Sequence, residues 1–362
     1  MPEQTTSRDF RAVVVGGTGY GGAELIRLLA AHPHVSLARV TSIDHVDEPL
    51  ESVHLNLTDS GLRFEEIPLP AAAEGADVVF LGLPHKVSAT FAPDLAQVAA
   101  KIVDLSGDFR LRDAQQYAAF YGGEHPHPAE LEGGWTYGLP ELNRDAIREA
   151  RRVASPGCFA TSIILGLLPL AHAGLLRGAV QTVACTGSSG SGAYAKPGTH
   201  HPLRANNLKG YKPLSHQHTP EISQALRDGA AAGGKSADFQ LNFVPVSAPL
   251  TRGILANTFA SIPAEVGREQ IQEIYRSYYA DAAFVRVLGA GGRQSEVVAV
   301  KGSMWVDLSL NVGEPADGTR QLLVSTAIDN LVKGGAGQAV QSMNLMLGLP
   351  ERAGIDAPAL WP

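Results

Sequence analysis

The sequence predicts an α/β protein of two domains, a Rossmann nucleotide-binding domain and an α+β domain built on a mostly antiparallel sheet. Three observations predict it. A β-type apolar run, Arg11 to Val15, stops at a glycine-rich turn, and Ala23 to Ala31 continues with Leu and Ile at helical spacing. After Cys158 the texture changes to a buried-looking helix and then to strands separated by a long glycine- and histidine-containing stretch. The chain has 362 residues, more than one core usually serves.

The elements follow in order. Beyond His32-Pro33 a second strand, Val35 to Thr41, completes the opening βαβ unit of a doubly wound sheet. Asp77 to Leu83 and Lys101 to Leu105 read as further strands, each ending in a polar or proline-bearing turn where such sheets carry ligands. A helix is expected over Ser162 to Leu170 and strands over Val180 to Thr186, Gln240 to Pro245 and Gly253 to Ala260, with an exposed loop at Gly291 to Ser295. Asp329 to Leu347 reads as one helix, its glycines near the start, that returns to the first domain. The expected division is residues 1–157 with 329–362 for the nucleotide-binding domain and 158–328 for the second.

Composition narrows the class. Hydrophobic residues at 44% and charged residues at 18% suit a packed protein. The net charge of -7, with no long cluster of Lys or Arg, argues against nucleic acid as a partner. Any bound phosphate must then be held by local amides and individual arginines. No apolar run reaches the roughly 18 residues a bilayer span requires, so no membrane partner is expected. Met1 to Arg11 lacks the apolar stretch of a signal peptide, and two cysteines do not make a disulfide scaffold, so a reducing cytoplasm is expected. His200, His201, His216 and His218 come with no cysteine pair and no HExxH, which leaves no metal centre to expect.

Gly16-Gly17-Thr18-Gly19-Tyr20-Gly21-Gly22 lies between a strand and a helix, where glycines let a pyrophosphate approach backbone N–H groups at a helix N-terminus. The tip of the second strand reads Val40-Thr41-Ser42-Ile43 instead of carrying the Asp or Glu that grips a ribose 2'-hydroxyl. Hydroxyls there accommodate a 2'-phosphate and favour NADPH, although Asp44 lies close by.

Ser155-Pro156-Gly157-Cys158 sets a cysteine at a predicted helix start, where orphan N–H groups and the helix dipole stabilise a thiolate and can donate to an oxyanion. An inert buried cysteine is the alternative, and Cys185 within an apolar strand fits that description. His216 and His218 supply imidazoles two residues apart; an extended segment would aim both one way, whereas a helix would let at most one face the cysteine. Arg110, just past a strand end, can grip a carboxylate or phosphate, or form a surface ion pair. The Gly187 to Gly192 run either presents amides to a cofactor or phosphate or is a flexible loop.

Taken together, GGTGYGGAELIRLLAAHP, LGLPHKVSA, VDLSGDFRL, YGLPEL, SPGCFATS, GSSGSGA, HQHTPEI, TRGILA and AIDNLVKGGAGQAVQSMN resemble the N-acetyl-gamma-glutamyl-phosphate reductase family, relatives of aspartate-semialdehyde dehydrogenase. The resemblance runs nearly end to end. It implies NADPH-dependent reduction of an acyl phosphate to a semialdehyde through a thioester on Cys158, with His216 as base. Gly16, Thr18, Gly19, Tyr20, Gly21, Gly22, Ser42, Pro84, Ser188, Gly190, Gly192 and Asn330 would surround NADPH or NADP+. Arg110, His218, Glu221 and Arg204 would face the substrate. The second domain would carry the cysteine and the contacts of a homodimer or homotetramer.

The stretch from Lys196 to Asn207 departs from the common acetylglutamate enzymes and looks more like branches acting on N-succinylated or carrier-protein-linked substrates. Arg204 and Lys209 then either meet an extra carboxylate or are surface charges. The competing readings are another phosphorylating aldehyde dehydrogenase and a non-catalytic NADPH-sensing protein, for which a cysteine at a helix start has no use.

Overall fold

A parallel sheet is buried on both faces, so its strands need near-continuous apolar runs, and Ala12 to Val15 and Val78 to Leu81 provide them. The computed structural model describes residues 9–58, 60–98, 101–289 and 291–361. The polar start of the chain, up to Arg8, lies outside them. Two compact units are formed, one running up to Pro156 and taking in Gly335–Ala357, the other spanning Gly157–Gly334 with the residues after Ala357.

In the first unit, strands β1 (Phe10–Val15), β2 (Val35–Thr41), β3 (Phe64–Glu65), β4 (Val78–Leu81), β5 (Lys101–Asp104), β6 (Thr136–Tyr137) and β7 (Arg152–Ala154) make one sheet in the order β3-β2-β1-β4-β5-β7-β6. All its pairings are parallel. The helices are α1 (Tyr20–Ala30), α2 (Leu69–Ala72), α3 (Val87–Val98), α4 (Ala114–Tyr121) and α5 (Pro140–Glu149). Ligands bind such sheets outside the carboxyl ends of their strands, where the chain order reverses between β1 and β4.

The second unit holds α6 (Cys158–His172), α7 (His201–Arg204), α8 (His218–Ala232) and α9 (Arg268–Tyr278). Its strands are β8 (Gly178–Thr186), β9 (Lys209–Gly210), β10 (Phe239–Ser247), β11 (Ile254–Pro263), β12 (Val285–Val287), β13 (Val306–Val312) and β14 (Thr319–Ile328), in the order β12-β13-β14-β11-β8-β10-β9. The sheet is mixed. β8 runs parallel to β10 and β12 to β13, while the other pairings are antiparallel.

Every residue of α6 from Phe159 to Ala171 is buried, as expected of a helix that is apolar all round. Pro169 inside it lacks an N–H, so the carbonyl of Leu165 loses its helical donor; the Tyr279 hydroxyl donates to that carbonyl instead. The helix therefore continues past its proline with its backbone satisfied.

Asp329 to Leu347 is not one helix. The Asp329 carboxylate accepts the N–H groups of Leu331 and Val332 at 2.8 and 3.0 Å, a π-helical turn covers Val332–Ala336, and Gly335 leaves helical angles. The regular helix, α10 (Gly337–Met346), belongs to the first unit. There the Asn344 carboxamide meets the buried His32 ring at 3.0 Å and donates to the carbonyls of Glu351 and Ala353. Among the described residues no helix is long and apolar enough to cross a membrane.

Candidate active site

In the first unit the glycine turn divides its labour. Gly16 sits at φ +80°, and a Cβ there would lie 2.8 Å from the Gly82 carbonyl oxygen. A Cβ on Gly22 would lie 2.6 Å from the Gly17 carbonyl oxygen, so these two glycines serve the close packing of strand and helix. Around Gly19 and Gly21 a Cβ would meet nothing within 4 Å. The opening of α1 is thus bare backbone with the positive end of a helix behind it, which fits a pyrophosphate. Thr18 is partly exposed and Tyr20 exposed in the same turn.

Ser42, beyond the tip of β2, is buried, and its Oγ accepts the N–H groups of Asp44 at 3.1 Å and His45 at 3.3 Å. Pro84 stands in the exposed turn after β4. That turn is tied down from the β5 side. Both oxygens of Asp108 accept the Lys86 N–H at 2.8 Å, holding Lys86 at φ +72°, and the Tyr117 hydroxyl donates to the same carboxylate at 2.9 Å.

Arg110 follows β5 in the chain. Its guanidinium is buried and donates to the carbonyls of Ser155 at 2.7 Å and Leu105 at 2.8 Å. These bonds anchor the chain three residues before Cys158.

In the second unit Cys158 is the first residue of α6 after Gly157, and it is partly accessible. The unpaired first-turn amides of a helix and its dipole favour a thiolate at this position. The turn is held from three sides. The Glu221 carboxylate accepts the Gly157 N–H at 2.8 Å. The His218 imidazole lies so close that a Cβ on Gly157 would be 2.3 Å from its Nε2. Gly334 packs on the cysteine itself, where a Cβ would approach the Cys158 Cβ to 2.8 Å. Glu221 and His218 therefore support the turn that carries Cys158.

His218 opens α8 and His216 lies just before it, so the two rings do not point one way; they meet edge to face with centroids 4.7 Å apart. The His218 N–H points at His216 Nδ1 at 3.2 Å. A ring that accepts at Nδ1 carries its proton on Nε2 when neutral. Burial, and then the Lys212 cation, lower its pKa to about 4 from the ordinary 6.5, so the neutral ring is the resting form. Phe159, Phe243 and Tyr211 surround it.

The Ser188 to Gly192 turn is also built from the second unit. Ser188 and Ser189 donate their N–H groups to Leu250 and Thr251, and Gly190 and Gly192 stay exposed. Asn330 is buried with its side chain engaged, accepting the Gly253 N–H at 2.6 Å and donating to Ser189 Oγ at 3.0 Å. It shapes the turn. Burial raises the pKa of the Cys185 thiol, as suits an unreactive cysteine.

Tyr211, Gly334 and Asp329 went unnoticed in the sequence. A lone aromatic, a glycine in a glycine-rich run and an acid before a helix have ordinary local explanations. Gly334→Ala tests the packing directly. Its added methyl should push Cys158 aside and lower kcat by about tenfold, because sub-ångström displacement of a reacting atom is costly, with nucleotide affinity unchanged. A kcat within twofold of wild type would refute the contact's importance.

Residues 11–150 match the semialdehyde dehydrogenase NAD-binding domain family, and residues 158–330 match the semialdehyde dehydrogenase dimerisation domain family. The chain is 41% identical over 351 residues to an N-acetyl-gamma-glutamyl-phosphate reductase of Pelotomaculum thermopropionicum, covering 96% of this chain and 98% of that one. It is 40% identical over 354 residues to a LysW-L-2-aminoadipate 6-phosphate reductase of Deinococcus radiodurans, covering 96% and 97%. Among solved structures, aspartate semialdehyde dehydrogenase II of Vibrio cholerae superposes with a TM-score of 0.69 at 15% identity, covering 94% of this chain and 99% of that one, a likeness of fold.

Proposed function

The chain belongs to the semialdehyde dehydrogenase family, and on that premise we propose that it reduces N-acetyl-gamma-glutamyl phosphate to the semialdehyde and phosphate, a step of arginine biosynthesis. Cys158 is the nucleophile. The observation that carries this reading is a partly accessible cysteine at the first position of α6, its turn held by Glu221, His218 and Gly334.

The thiolate attacks the acyl carbon, the carbonyl oxygen becomes an oxyanion, and phosphate leaves a thioester on Cys158. NADPH, when bound, supplies the hydride that takes the thioester to the aldehyde level. Gly19 to Gly21 would hold its pyrophosphate, and Ser42 stands where a 2'-phosphate is read. Collapse of the thiohemiacetal returns the thiolate. Neither step needs the imidazole to take a proton, and His216 has its Nε2–H to offer. It acts as a neutral hydrogen-bond donor to the acyl oxygen. The matched dimerisation domain supports a homodimer or homotetramer, which we place in the cytoplasm.

The carrier-linked relative is as similar as the acetylglutamate enzyme, so the acyl group is the open choice. A panel of aldehydes separates the readings in the reverse, phosphate-dependent oxidation. N-acetylglutamate semialdehyde should give the highest kcat/KM, ahead of N-succinylglutamate, aspartate and carrier-linked aminoadipate semialdehydes, with NADP+ preferred to NAD+. A carrier-linked aldehyde oxidised at least tenfold better would replace the proposed substrate.

A further inference from the structure

Between Glu149 and Glu221 the chain carries no Asp or Glu, although the protein as a whole has a net charge of -7. The nucleophile, the Ser188 to Gly192 turn and the mostly exposed stretch from Tyr194 to Ser215 lie inside this acid-free span, with Lys196, Arg204, Lys209 and Lys212 as the cations of that stretch. Three of them are exposed, as lysines usually are. Arg204 is not.

Arg204 is partly buried at the end of the single turn α7, and among the described residues its guanidinium makes one hydrogen bond, from Nη2 to the Thr186 carbonyl at 3.0 Å, and no ion pair. Its Nε is buried and unmatched. A guanidinium withdrawn from water normally finds a carboxylate, and leaving one unmatched costs stability, which a protein tolerates where a ligand supplies the missing charge. The Thr186 contact places it beside the turn that starts at Gly187.

Tyr211 links it to the nucleophile. This phenol is largely buried; burial first and the Cys158 thiolate second raise its pKa, while Arg204 opposes them. Its ring packs 5.9 Å from that of His216, which in turn meets Phe159, the residue after Cys158, at 5.5 Å; Thr186, the partner of Arg204, pairs through Ser247 with Lys209, two residues before Tyr211.

We propose that Arg204, with Tyr211, forms a carboxylate-binding subsite beside Cys158 that receives a carboxylate on the part of the substrate away from the reacting carbon. This rests on the reductase reading for its substrate. Beyond the Thr186 bond the planar guanidinium keeps Nη–H groups with which to meet a carboxylate.

The test compares alkylation of Cys158 by anionic iodoacetate and neutral iodoacetamide, followed by mass spectrometry of the Cys158 peptide in the full-length protein. In Arg204→Met the iodoacetate rate should fall about five- to tenfold relative to wild type, as loss of one nearby cation predicts, while the iodoacetamide rate stays within twofold. Arg204→Lys should keep part of the preference. N-acetylglutamate and N-succinylglutamate should protect Cys158 in wild type and less in Arg204→Met. Equal protection by both assigns the subsite to the α-carboxylate they share, and stronger protection by the succinyl compound assigns it to the N-acyl carboxylate. An unchanged reagent ratio in Arg204→Met, or an equal fall in both rates, overturns the proposal. So does protection by inorganic phosphate alone that depends on Arg204. The preference is read on the thiol without turnover, so an inactive protein that keeps it would sink the reductase reading and leave the subsite standing.

Discussion

Cys158→Ser should bind NADPH as wild type does and lose phosphate-dependent turnover by at least about 10³-fold, because an alcohol at a helix start is not ionised as a thiol is and the thioester cannot form. The variant is conservative in volume, and the residue is partly accessible, so folding should be unaffected. Two measurements check it: nucleotide binding by fluorescence titration, and a burst of aldehyde-dependent reduced nucleotide in wild type that vanishes in the variant. Turnover within tenfold of wild type would remove Cys158 from the mechanism. The other cysteine cannot substitute, since Cys185 lies within β8 and burial raises its pKa.

His216→Ala should lower kcat by about 10²- to 10³-fold, the usual cost of removing one donor to a developing oxyanion. His216→Gln, whose amide also presents an N–H, should retain more. In both variants the pH dependence of iodoacetamide alkylation at Cys158 should match wild type, because the thiolate owes its stability to the start of α6 and not to an imidazolium. A profile displaced upward by a unit or more would make His216 the base after all. The lowered pKa also bears on stability. The fold holds this ring neutral, so its contribution is whole above pH 6.5 and is lost as the pH falls toward about 4. His216→Gln should accordingly blunt the acid side of the Tm profile.

Much of the cofactor side was legible in the sequence because its determinants are local. A strand, a glycine turn and a helix occupy consecutive residues, and the steric demands on Gly16 and Gly22 come from neighbours in the same βαβ unit. The position of Cys158 at a helix start was equally local, set by Pro156 and Gly157 ahead of an apolar run. Asp329 to Leu347 misled for the opposite reason. Its composition suits a helix throughout, but the Asp329 carboxylate is drawn into the turn that follows, and into the N–H of Gly302, by packing no local pattern contains.

The amino-acid sequence by itself determined the fold class, the glycine turn and the placement of Cys158 at a helix start, because each depends on residues adjacent in the chain and on backbone groups every helix start provides. Only the tertiary structure decided which groups Arg110, Asn330, Glu221 and His216 meet. Each is defined by a partner whose position the folded chain supplies: Ser155 for Arg110, Gly253 for Asn330, Gly157 for Glu221. For His216 the partner is nearer, the N–H of His218, yet it reaches Nδ1 only because the chain turns into α8 at that point. A side chain's charge and donors can be read from its name, but whether they are spent on the backbone or offered to a ligand depends on what the fold brings within hydrogen-bond distance.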